Sequence, residues 1–154
     1  MRRRVRGEVI DFKLGPIRVV VSPKPIEALP QVLDALVSSD DTHLSMGRGV
    51  SAAILKAAGP ELKRDAQQLL PVSVGDVCVT RAGVLPVKYV LHPITVDWDR
   101  GVLPTKRTVR QLSREIFRRC EALGIAAYGQ IQMQSWERKT LRDIVDTLQG
   151  RPLR

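Results

Sequence analysis

The stretch from Leu36 to Ile54, LVSSDDTHLSMGRGVSAAI, holds the residue types in this chain best suited to chemistry. Gly47 and Gly49 flank Arg48 and lead at once into an Ala-rich segment. Glycine permits positive φ and close backbone approach. A helix start supplies unpaired N–H groups and a partial positive charge. Together these favour a phosphate, although tight strand-to-helix turns also use glycine for purely steric reasons. Asp40 and Asp41 stand a few residues upstream, where carboxylates would repel that same anion. The loop must therefore divide its work. No Ser/His/Asp arrangement, metal-ligand spacing or Walker-type motif accompanies it, and no cofactor is implied.

Such a loop needs a strand before it and a helix after it. The apolar run 32–37 reads as a buried strand, and 38–50 as the loop at its carboxyl end, where open α/β sheets place their ligands. Ser51 is the expected cap of the following helix, which Gly59-Pro60 stops. A second short helix is expected over 61–70. The β-branched segments 8–12 and 17–21 read as a hairpin around Leu14-Gly15-Pro16, and the Pro-rich stretch 22–31 as irregular. Further strands are expected at 76–80, 87–96 and 125–128. The segment 105–123 is the clearest helix, with Val109, Leu112, Ile116, Cys120 and Leu123 forming an apolar stripe. Arg107, Arg110, Arg114 and Arg118 form a second stripe, read as a solvated face with phosphate gripping as the alternative. A last helix is expected over 136–149. Strands alternating with helices give an α/β sandwich.

With 154 residues the chain is long enough for one domain with a substantial core. A net charge of +9 favours an anionic partner, with nucleic acid among the possibilities. No apolar run approaches the ~20 residues that span a bilayer, so no membrane partner is expected. The opening MRRRVRGEVI is basic and lacks the apolar core of a secretory signal. Cys78 and Cys120 read as buried free thiols, and the expected location is cytoplasmic.

The segment 33-LDALVSSDDTHLSMGRGVSAAILKAAGPEL-62 resembles the macro domain family, whose pattern runs V-D-A-I-V-N-A-A-N, a Leu, G-G-G-V, A-I and A-G-P-E-L. A second block, 79-VTRAGVLPVKYVLHPIT-95, is similar to the family's T-x-A-G-x-L-P-x-K-Y-V-I-H. The likeness covers residues 17 to 128 in order. It implies a three-layer α/β/α sandwich with a mixed central sheet and a pocket for ADP-ribose, which some members hydrolyse from macromolecules. Carried over, the glycine loop falls on Met46, Gly47, Arg48, Gly49 and Val50 beside the diphosphate. The last Asn of N-A-A-N falls on Asp41 and the first on Ser38, with Ser39 and Asp40 between.

The departures are chemical. Ser51 stands where hydrolytic members often carry an acid, and the stretch 22-SPKP-25, near which an Asp would receive the adenine amino group, holds no acid. The second phosphate loop is reduced to 128-YGQIQ-132, leaving Gly129 and Gln130 as its contacts. The family's final strand and helix are not seen after Arg154. Asp41 could contact the distal ribose, act as a general base, or only make a turn. His43 and His92 are weaker candidates, as are Trp98 and Trp136 for stacking on adenine. The leading expectation is a module that binds ADP-ribose, free or on a macromolecule, with weak or no hydrolysis. A hydrolase using Asp41 is one alternative, and a structural or nucleic-acid-binding subunit another. A partner chain or self-association is expected along the sheet edge after 125–128.

Overall fold

The computed structural model describes residues 10–14, 17–21, 33–126 and 128–130. Strands β1 (Ile10–Leu14) and β2 (Ile17–Val21) pair antiparallel as a hairpin. The main sheet is built from β3 (Ala35–Val37), β4 (Asp40–Asp41), β5 (Val77–Arg81), β6 (Tyr89–Val96) and β7 (Tyr128–Gln130). β6 runs through its middle. It pairs antiparallel with β5 on one side and parallel with β3 and β4 on the other; β3 in turn pairs parallel with β7. The sheet is therefore mixed. Among the described residues β7 pairs on one side only.

Helices α1 (Gly49–Ala58) and α2 (Pro60–Gln67) lie on one face and α3 (Lys106–Ala122) on the other. Successive side chains of a strand point to opposite faces, and β6 shows the result. Val90 and Ile94 join Leu44, Met46, Ile54, Ala58 and Leu62 on the α1/α2 side. Leu91 joins Ala35, Val37, Val77, Leu112, Ile116 and Cys120 on the α3 side. Burial on both faces explains why these strands read as continuous apolar runs rather than alternating ones. The three-layer α/β/α sandwich is the architecture.

Several element boundaries differ from expectation. The strand 32–37 shortens to Ala35–Val37, and the strand line resumes at Asp40–Asp41, inside the segment read as loop. α2 ends at Gln67 rather than residue 70. α3 matches closely, with the Thr105 hydroxyl accepting from the Thr108 N–H at 3.2 Å. Its apolar stripe is shorter than the spacing predicts, because Leu123 is exposed beyond the last packed turn. The segment 125–128 is not the strand; β7 begins at Tyr128. The hairpin falls at 10–21, while the Pro-rich stretch 22–31, the helix over 136–149 and Trp136 lie outside the described residues. Cys120 is buried and Cys78 half-buried, both as free thiols whose pKa burial raises. Among the described residues no helix is long and apolar enough to cross a membrane.

Asp40 and His92 are titratable groups buried within the fold. Asp40 accepts from the Asp41 N–H at 2.8 Å and the Met46 N–H at 3.2 Å through Oδ1, while its buried Oδ2 has no partner. Burial outweighs those bonds and pushes its carboxyl up to about 6. His92 shares a 2.9 Å hydrogen bond with the Thr80 hydroxyl through Nε2, leaves Nδ1 buried and unpartnered, and is driven down to about 4 by burial.

These two shifts act oppositely on stability. Asp40 holds its proton more tightly folded than unfolded. Its contribution is full below 3.8 and lost as pH rises through about 6. His92 holds its proton less tightly when folded. Its contribution is present above 6.5 and lost as pH falls through about 4. Each is worth about 3 kcal/mol, so the two nearly cancel between these limits. Denaturant unfolding between pH 4 and 6 is expected to be nearly level for this protein. Asp40→Asn should give stability that rises with pH across that window, and His92→Gln stability that falls. Parallel profiles for the two variants would contradict the assignment. In the loop that leads from β5 toward β6, Gly83 has φ +57, and an added Cβ would stand 2.2 Å from the Ala58 carbonyl oxygen. Gly83→Ala is expected to cost at least about 2 kcal/mol, read as a lower denaturant midpoint.

Candidate functional site

The loop from Ser38 to Ser51 leaves the carboxyl end of β3 and enters α1, with its backbone tied to β6 at the start. The Ser38 N–H donates to Leu91 O at 2.8 Å and the Thr42 N–H to Val96 O at 3.0 Å. Beyond that point Asp41 organises the chain. Its Oδ1 accepts from the His43 N–H at 2.9 Å and the Ser45 N–H at 3.2 Å; its Oδ2 accepts from the Ser45 hydroxyl. Burial works to raise the Asp41 pKa. Hydrogen bonds from Ser45, His43 and Trp98 outweigh it and hold the carboxyl below its usual range. A general base operating near neutrality needs the opposite shift.

From α2, Lys63 Nζ donates to Leu44 O at 3.0 Å and to Ser45 O. Gln67 adds bonds to the carbonyls of His43 and Leu44 at 3.2 and 3.4 Å. Leu44 and Met46 both take left-handed backbone conformations, at φ 48 and 46, with their side chains in the α1/α2 core. Such conformations persist only where surrounding packing enforces them.

The result is an exposed rim of Gly47, Arg48 and Gly49 over a buried base. α1 begins at Gly49, not Ser51. Arg48 is its N-cap, with no side-chain cap and no acid in the first turn. Ser51 lies within the helix, buried, its hydroxyl donating to the Arg48 carbonyl at 2.9 Å. The first-turn N–H groups are thus left without a side-chain acceptor of their own. Positive φ belongs to Gly49 at +57 and to Met46, while Gly47 does not use it.

A second turn faces this rim. Asp97 and Val102 exchange backbone hydrogen bonds at 2.8 and 3.0 Å, closing the segment that follows β6. Trp98 lies 5.6 Å from the Arg48 guanidinium, ring centroid to Cζ, a cation–π contact. Asp99 Oδ2 lies 2.6 Å from His43 Nε2. Trp98 thus lies over Arg48 and also lowers the Asp41 pKa.

The sequence-derived residues divide clearly. Ser38, Asp40, Asp41, Met46 and Ser51 are buried; Ser39, Gly47, Arg48 and Gly49 are exposed; Val50 is half-buried. Gly129 and Gln130 belong to β7 rather than to a loop, with Gln130 in register with Val37 at the carboxyl end of β3. His92 is a core residue away from the rim, and His43 lies at it. Lys63, Gln67 and Asp99 carry no motif. Only the position of the Asp97–Val102 turn beside residues 41–42, set by the β4–β6 register, could have pointed to Asp99.

The Macro domain family model matches residues 37–133, more than half of the chain. An uncharacterized protein of Mycobacterium tuberculosis is 34% identical over 100 residues, 63% of this chain but 28% of that protein. The macrodomain of Trypanosoma brucei solved in complex with ADP-ribose is 28% identical, with a TM-score of 0.56. That match covers 64% of this chain and 40% of the other. A mutant of the Oceanobacillus iheyensis macrodomain shares the fold at a TM-score of 0.73 and 18% identity, covering 93% and 84% of the two chains. The matched span holds the loop, the strand β6 that anchors it and the helices on both faces, and the chain belongs to the Macro domain family.

Proposed function

We propose that this protein is an ADP-ribose-binding module, free ligand or ADP-ribosylated macromolecule, with weak or no hydrolysis of what it binds. The observation that carries the reading is the Gly47-Arg48-Gly49 rim at the uncapped start of α1, exposed and without an acid in the first turn. A diphosphate would accept from the first-turn N–H groups and gain from the positive end of the helix. Arg48, steered by Trp98, adds a guanidinium whose fork suits phosphate oxygens. The ADP-ribose complex of the 28% identical Trypanosoma macrodomain supports the same ligand class. The Ser38 hydroxyl is buried without a partner, a polar group that a ligand or water would satisfy.

The argument against turnover is electrostatic. Asp41 spends its lone pairs on its own loop, and its pKa is lowered. Ser51 is buried and carries no proton-accepting carboxylate. Asp41 is then the loop's organiser, contacting the distal ribose at most through the edge it leaves free.

Calorimetry with ADP-ribose is expected to give saturable heat. Gly47→Glu introduces a carboxylate at the rim without backbone strain, and is expected to weaken binding at least about tenfold, or 1.4 kcal/mol. No heat with the unsubstituted protein would leave the structural reading in place of this one. An ADP-ribosylated protein substrate is expected to keep its label during prolonged incubation. Label loss that Asp41→Asn abolishes would replace the binding module with a hydrolase.

A further inference from the structure

We propose that the protein carries a second anion site, a groove between α3 and β5 that takes the sugar-phosphate backbone of a nucleic acid. The groove encloses about 950 Å³ and shares no residue with the loop at 38–51. One wall is α3, which contributes Arg107, Arg110, Arg114, Arg118 and Arg119; the other is the segment from Leu69 through β5. Among the described residues every cation lining it is an arginine. Guanidinium forks bind phosphate oxygens in pairs, whereas an ammonium offers only a point charge.

The groove's own acids leave most of that charge free. Glu115 lies 3.6 Å from Arg118 and 3.3 Å from Arg119. Asp76 caps its own turn, accepting from the Ser73 N–H at 2.8 Å. Among the described residues Arg107, Arg110 and Arg114 have no carboxylate partner. Arg110 Nε is moreover buried without an acceptor, an uncommon state for a charged donor. The start of α3 strengthens the field. Its first turn holds Arg107 and no acid, the reverse of what a helix dipole favours. A bound anion would relieve that repulsion.

The spacing selects the kind of anion. Arg107 to Arg118 spans about 16 Å of helix at 1.5 Å per residue, more than one diphosphate covers. An occupant of the whole stripe must repeat its charge along its length. Among the described residues no aromatic side chain lines the groove, so these residues offer bases no stacking platform and contact falls on the backbone, independent of sequence. An acidic peptide would present charge only at chosen side chains, with pockets required for the residues between them. A nucleic-acid strand carries one at every step.

The test is fluorescence anisotropy of short labelled oligonucleotides, single-stranded and duplex, titrated with the full chain at several salt concentrations. Saturable binding is expected, with log affinity falling against log salt at a slope of about −2 to −3 for three free arginines. Arg110→Glu combined with Arg114→Glu should weaken binding at least about tenfold and flatten the slope. The same variant should titrate ADP-ribose unchanged, which separates this groove from the rim. Should the charge reversal fail to fold by thermal melting, Arg107→Gln with Arg110→Gln gives the same contrast more gently. No binding of either oligonucleotide, or undiminished binding by a folded variant, overturns the proposal. Displacement by polyglutamate at equal charge would overturn it in favour of an acidic protein partner.

Discussion

Strand β6 is the constraint on which both layers and the loop depend. It is buried on both faces, sends Val90 and Ile94 into one core and Leu91 into the other, and pairs with β3, β4 and β5. Its carboxyl end supplies Val96 O for Thr42 and then runs directly into the turn bearing Trp98. The glycine rim and the turn facing it are thus held by one strand. A shift of β6 by one residue would exchange its two core faces. It would also separate Trp98 from Arg48 and Asp41, so core packing and site geometry are fixed by the same register.

The adjacent carboxylates show how a buried acidic pair can lie beneath the rim proposed to take an anion. Asp40 is desolvated, and Asp41 raises its pKa further, while Asp41 itself is flooded with donors from Ser45, His43 and Trp98. The two are pushed apart in pKa by their different surroundings. Neither presents a bare charge toward the rim. Asp40 fixes the backbone of Asp41 and Met46, and Asp41 fixes His43 and Ser45. The contradiction between carboxylates and a phosphate turn disappears once their lone pairs are followed: the acids face inward and the helix start faces outward.

Much of this was legible in the sequence because it rests on local pattern. The 3.6-residue period of Leu112, Ile116 and Cys120, the Gly59-Pro60 break and the β-branched strands follow from propensity and burial. The two family blocks carry the glycine loop and β6. Tertiary pairing was less visible. The two-residue strand Asp40–Asp41 exists only because β6 lies beside it, and no β propensity marks two aspartates. Ser51 had the chemistry of a cap, yet the left-handed turn through Met46 and Gly49 lets the helix start two residues earlier. Lys63 and Gln67 reach the loop from an exposed-looking helix, an arrangement that depends on the crossing of α2 over the sheet.

The energetics of the rim explain why it can remain open. An uncapped helix start forgoes about 1 kcal/mol, and two left-handed non-glycine residues cost about 1–3 kcal/mol each. Left alone, a loop carrying those costs would relax. Leu44 and Met46, the residues in those conformations, are 0% and 2% exposed, and burying such side chains returns about 1.5–3 kcal/mol apiece. The strain and the burial occur in the same two residues, so the backbone cannot relax without withdrawing both side chains from the α1/α2 core. Lys63 and the Asp41 carboxylate close the remaining freedom. The N–H groups at the head of α1 are therefore held in place before any ligand arrives. An anion bound there as proposed would have little ordering cost left to meet.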